Sequence, residues 1–372
     1  MSHRPLLAVL LAAVVAALAG GQAAFAKSGQ ASVLFVQTNQ PSGNQIVVFD
    51  RAADGRLSQA GVYPTGGLGG AAAPGTESDH LASQGSLVYD APHRVLLAVN
   101  AGSDTVSAFR VRGDRLRLLD VEASGGQFPA SIAVHDELVY VLNSGGTGIV
   151  QGFRLSRHDL APLPGSARSL GLANGDPPNF LTAPGQVGFA PDGSKLLVTT
   201  KASTSAIDVF AVGADGRLSA APVVNPSATP VPFAFTFASS GRLVSGEAGT
   251  SSVTTYAVAP AGTLTDPRSQ SDGQAALCWI LRVGGFYYVS NTASNTLSSF
   301  EIDAAGQPSL LSAVAATTNP GPIDLASSGG FLYAQTGTNG TVDEFHVESD
   351  GTLEPIGTVA GLPSGIEGIA ST

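Results

Sequence analysis

Lys201, in the phrase LLVTTK, and Glu247, in GRLVSGE, each close a short apolar run. The comparable runs elsewhere end on Thr38, Asn100, Asn143, Asn291 and Thr336, so these two positions alone carry charge. A carboxylate beside a bound ester can take a proton from water, and an ammonium with backbone amides can steady the oxyanion that follows. The chemistry suggested is the opening or closing of a lactone or related cyclic ester, with Glu247 as base and Lys201 as electrophilic helper. The plainer alternative is a partly exposed ion pair worth under about 1 kcal/mol. A carboxylate beside an ammonium also titrates low, which makes it a weak base near neutral pH. Asp324 is a further candidate catalytic group.

Candidate substrate-binding residues are Gln84, Asn100, Asn143, Gln186, Trp279 and Asn291. The three asparagines could equally cap the turns that follow them. Gln84, Ser131, Gln186, Trp279, Asp324 and Glu367 fall in runs expected to line a channel, where water satisfies polar groups. Trp279, the only tryptophan, is a stacking platform or a core residue beside Cys278, itself read as a small buried apolar side chain. Other chemistries are not encoded. No two histidines among His80, His93, His135, His158 and His346 stand at metal-ligand spacing, so no metal is expected. His80 in TESDH has two nearby carboxylates and reads as a solvated loop cluster. No Gly-x-Ser-x-Gly elbow occurs, and the glycines of GGTGIVQG precede no helix that could hold a dinucleotide. No cofactor is expected.

The elements that must position these residues are repeats. AVNAGSDTVSAFRV at residues 98–111 returns as VSNTASNTLSSFEI at 289–302, and seven copies are anchored on Phe49, Phe109, Phe153, Phe210, Tyr256, Phe300 and Phe345. Three residues before each anchor lies an aliphatic, from Ile46 to Val342. Two residues after it lies another, Arg51 being the exception. Strand side chains alternate faces, so both faces of this strand are apolar and must be covered. Each copy has two strand-like runs before it and, after a turn such as Asp54-Gly55, a fourth. Seven units of four antiparallel strands predict an all-β, seven-bladed β-propeller. The first copy lacks an inner strand and the terminal GIEGIAST supplies an unmatched one. The ring is therefore expected to close with strands from both termini, leaving no open edge.

The chain begins with a short basic start, an apolar run over residues 6–19 and Ala24-Phe25-Ala26, which together read as a signal peptide over residues 1–26. The propeller is then residues 27–372, secreted to the periplasm or beyond. A formal charge of −10 with no basic run argues against nucleic acid or an anionic membrane as partner. A single cysteine leaves no internal disulfide, so the core alone must hold the fold.

LASQGSLVYD, LLAVNAGSDTVSAFRV, ALCWILRV, FYYVSNTASNTLSSFEI and LPSGIEGIAS resemble the lactonase-family seven-bladed propellers, relatives of bacterial 6-phosphogluconolactonase and fungal carboxymuconate cyclase. The resemblance spans the mature chain and implies a hydrolase or cycloisomerase. It also places a glutamate at the strand end occupied by Glu247. The inner-strand segments FPASIAV and VPFAFTF lack the His and Arg expected of the cytosolic lactonases. Two long loops, residues 63–83 and 160–184, should meet at one mouth of the channel and cover a site there. Two functions stay open: a monomeric exported lactonase acting on a small molecule, or a non-catalytic propeller that binds a ligand or protein partner.

Overall fold

The computed structural model describes Met1 and residues 32–73 and 78–372. The leader expected over residues 1–26 lies, apart from Met1, outside the described residues. Residues 32–73 and 78–372 form one unit of seven antiparallel sheets. Blade 1 contains Val33–Gln37, Gln45–Arg51 and Leu57–Pro64. Blades 2 to 7 occupy residues 87–123, 129–169, 186–226, 232–271, 277–317 and 322–359. The terminal strand Ile369–Ser371 completes blade 1, with Leu34 opposite Ser371 and Val36 opposite Ile369. The backbone of Gln37 extends this seam, donating to Gly368 O at 2.9 Å and accepting from Glu367 N at 3.2 Å. Ring closure by both termini is therefore the observed topology.

The repeated phrase explains the core. All seven aromatic anchors are buried, and the apolar side chains gather in seven clusters, one between each pair of neighbouring blades. Phe109 packs in the cluster shared with blade 1, whereas Val106 packs in the cluster shared with blade 3. That division is what the alternation of strand side chains requires.

One loop differs from the sequence reading. Leu160–Pro162 and Arg168–Ser169 both pair with Ile149–Leu155, so the start of the second long loop is the outer strand of blade 3, broken in two. Pro162 and Pro164 lack the N–H that a continuous ladder needs.

Candidate functional site

The two long loops meet over one mouth of the channel. Residues 81–84 end the first loop and bond to blades on opposite sides of the ring. Ser83 Oγ donates to Ala130 O of blade 3 at 2.7 Å, and Gln84 N donates to Gly185 O at the entry to blade 4 at 3.0 Å. On the far side, Trp279 Nε1 of blade 6 donates to Ser83 O at 2.9 Å, and the Gln84 amide exchanges two hydrogen bonds with the backbone of Ile280. A segment that reaches all of these must lie across the channel. Glu367, next to the closing strand, accepts from Leu81 N and from Ser83 N, the latter at 3.2 Å. Closure of the ring therefore also fixes the loop that caps it.

The second loop joins the first through a bridge between Ala73 and Asn179. Lys201 completes the clasp. Its ammonium donates to Ala82 O of the first loop at 2.6 Å and to Phe180 O of the second at 2.5 Å, and it lies 4.9 Å from the centre of the Phe233 ring. Lys201 sits in the left-handed region at φ 45°, where the chain turns between the second and third strands of blade 4.

Beneath this clasp is a cavity of about 350 Å³, lined in part by Asp79, Phe180, Lys201, Phe233, Cys278 and Thr292. Blades 4, 5 and 6 supply one wall and the two long loops the other. Val231, also on the wall, holds φ at 62°, an unusual conformation for a β-branched residue.

The electrostatics centre on Asp79, Glu367 and Lys201. Burial raises the Asp79 carboxyl to about 6, against the lowering effects of Lys201 and a hydrogen bond from Ala82 N at 2.7 Å. The Asp79 and Glu367 carboxyls hydrogen-bond each other. Burial and the charge of Asp79 push Glu367 well above its ordinary value, so Glu367 keeps the proton that this contact requires. Burial also lowers Lys201 to about 8, although Asp79, Cys278 and Glu367 act to raise it. The Cys278 thiol is raised, chiefly by burial, and is not a ready nucleophile.

Residues 262–367 match the family described as "Lactonase, 7-bladed beta-propeller". A candidate 6-phosphogluconolactonase of Bacteroides fragilis superposes with a TM-score of 0.71 at 18% identity, covering 93% of this chain and 99% of its own. The chain is a seven-bladed propeller that is similar to the lactonase family over residues 262–367. The periplasmic gluconolactonase of Pseudomonas aeruginosa gives a TM-score of 0.68 at 19% identity, covering 90% and 98% of the two chains. A Lactobacillus plantarum protein gives 0.71 at 19%, covering 92% and 99%. No curated protein matches. Among the described residues, no helix is long and apolar enough to cross a membrane.

Within this propeller, the expected Lys201–Glu247 pair requires correction. Strand register aligns Asn291, which follows Ser290 opposite Leu297, with Thr200, which follows Thr199 opposite Ile207. Thr200, not Lys201, therefore belongs to the column of Thr38, Asn100, Asn143, Glu247, Asn291 and Thr336. Lys201 is one residue further along, in register with Ala248 and Thr292 on the cavity wall. A shift of one residue exchanges the faces of a strand. Glu247 accordingly turns away from the cavity, fully buried, and accepts from Ser227 at 2.5 Å, Tyr256 at 2.5 Å, Thr254 at 2.6 Å and from Thr229.

The other sequence candidates divide similarly. Asn100, Asn143 and Asn291 are fully buried turn caps: Asn100 Nδ2 donates to Thr105 and Ser107, Asn291 Nδ2 to Thr296 and Ser298, and Asn143 Nδ2 to backbone carbonyls. Gln186 fastens blade 4 to the backbone of Phe235 in blade 5, and Ser131 Oγ donates to Gln84 O at 2.6 Å. Trp279 has no exposed face on which a ligand could stack, because its ring packs 4.8 Å from that of Phe233. Asp324, at a bulge in the inner strand of blade 7, is raised to about 7 by burial.

Asp79 was missed because TESDH reads as a solvated loop cluster. The available signal was the length of the loop: one that must cross a channel carries its charges inward. The described residues contain one grouping of potential metal ligands, His346, Glu348 and Glu354, at the turn between the last two strands of blade 7, and none of the three lines the cavity.

Proposed function

We propose that the protein is an exported lactonase that hydrolyses a cyclic ester at the loop-covered mouth, with Asp79 as base and Lys201 as oxyanion donor. The observation that carries this reading is that both groups line one cavity, Asp79 from the first long loop and Lys201 from blade 4, with burial raising the carboxyl to about 6. In the proposed step, ionised Asp79 takes a proton from water as the water oxygen attacks the lactone carbonyl. Lys201, with two N–H groups on loop carbonyls, directs its third to the oxyanion. Collapse breaks the ring C–O bond, and Asp79 returns the proton to the alkoxide. The net products are a hydroxycarboxylate and one proton. The N-terminal signal pattern and the periplasmic gluconolactonase among the structural relatives support export.

Acid release from a panel of lactones, followed by pH-stat on the purified chain, tests the proposal. Asp79→Asn should lower turnover by about 10²-fold or more, the usual contribution of a positioned base. Binding without turnover would instead favour a carrier or sensor. That reading suits a lysine already committed to closing the loops.

A further inference from the structure

Building on the lactonase reading, we infer that the cavity under the clasp takes a lactone bearing an apolar chain, and not a polyhydroxylated or phosphorylated sugar lactone. The walls carry the argument. Apart from the reacting groups, the lining is dominated by Phe180, Leu181, Val231, Phe233, Ala248 and Ala276. The polar groups there are largely committed to the protein itself. Thr292 Oγ1 donates to Pro322 O at 3.0 Å, Lys201 donates to Ala82 and Phe180, and Asp79 accepts from Ala82 N and bonds Glu367.

A sugar lactone brings several hydroxyls into this space and finds few partners for them. Burying a hydroxyl without a hydrogen bond is unfavourable, and an apolar pocket rejects one added hydroxyl by about 10²-fold. A phosphate would call for a guanidinium or a free ammonium, and no arginine is among the described residues that line the cavity. An alkyl chain makes neither demand. The volume, about 350 Å³, is at the small end for ligand sites, which limits the chain to moderate length. Leu181, with 52% of its surface exposed, stands where such a chain would enter.

The test is a homologous series, γ-butyrolactone, γ-hexalactone, γ-octalactone and γ-decalactone, set against glucono-δ-lactone. Each added methylene should raise kcat/KM about fourfold, the equivalent of about 0.8 kcal/mol, until the cavity is full. Glucono-δ-lactone should be at least 10²-fold poorer than the best member. Leu181→Ser, at an exposed position, should reduce the rate on γ-decalactone several-fold more than that on γ-butyrolactone. A flat series, or a preference for glucono-δ-lactone, overturns the inference and leaves the lactonase reading standing. If no lactone is turned over, calorimetry with γ-butyrolactone, γ-octalactone and γ-decalactone separates the two claims. Binding that strengthens with chain length retains the apolar site and overturns the enzyme, whereas no binding overturns both.

Discussion

Lys201→Met removes the ammonium that holds the two long loops together and keeps the length and packing of the side chain. Its effect on global stability should be small. In the folded protein Lys201 is 1% exposed and is lowered from 10.5 to about 8, burial outweighing the nearby acidic groups, so its surroundings disfavour the charged form by about 3 kcal/mol net. Methionine relieves that cost. Against it stand two charge-assisted hydrogen bonds, to Ala82 O and Phe180 O, each worth about 1.5–3 kcal/mol. The terms nearly cancel for the whole ring, but the hydrogen bonds are lost only at the loops. The unfolding midpoint should therefore move by no more than a few degrees, while amide exchange in residues 63–83 and 170–185 rises by about 10-fold or more. Hydrogen exchange read by mass spectrometry, alongside calorimetry, measures both quantities. A large fall in midpoint with unchanged loop protection would refute the view that Lys201 is a clasp and not a core residue.

Glu247→Gln should leave catalysis intact in the folded fraction, yet destabilise by about 2–4 kcal/mol, because four hydroxyls now donate to the carboxylate and an amide cannot accept them all; chemical denaturation with a parallel lactone assay checks this. Deleting residues 365–372 removes buried Ile366 and Ile369, the closing strand and the hold of Glu367 on Leu81 and Ser83, and should yield aggregation or a sharp loss of thermal stability. Stability should also fall as pH rises from about 4 to 7. Burial raises Asp79 and Asp208 to about 6 and Asp324 to about 7, so the folded state binds protons more tightly than the unfolded chain. Their stabilising contribution is complete below the unfolded value near 4 and is lost through their folded values; a midpoint higher at pH 5 than at pH 8, with a smaller difference in Asp324→Asn, is the expected outcome.

The fold was legible because it is written seven times. An aromatic anchor with apolar neighbours on both strand faces admits few arrangements, and the unmatched GIEGIAST pointed to the closing seam. The site was less legible, for two physical reasons. Its position in the column was displaced by one residue at Lys201: in a strand, a single step reverses the face, and sequence alone could not distinguish Thr200 from Lys201 as the strand end. Asp79 and Phe180 come from loops whose course across the mouth depends on long-range bonds, such as those from Gln84 to Ile280. Local patterns do not encode such bonds. Glu247 was conspicuous as a charge among amides, but a buried carboxylate ringed by four hydroxyls is a hydrogen-bond hub, and its conspicuousness came from structure instead of chemistry.

The measurement that bears most directly on the account is the pH dependence of kcat/KM on a lactone the protein turns over. The free enzyme should gain activity through an apparent pKa near 6 as Asp79 ionises, and lose it near 8 as Lys201 gives up its proton. Asp79→Asn should abolish the acid limb along with most of the activity, and Glu247→Gln should preserve the profile. A profile governed by a group near 4, or one that survives intact in Asp79→Asn, would contradict the assignment of the reacting base to the loop-covered mouth.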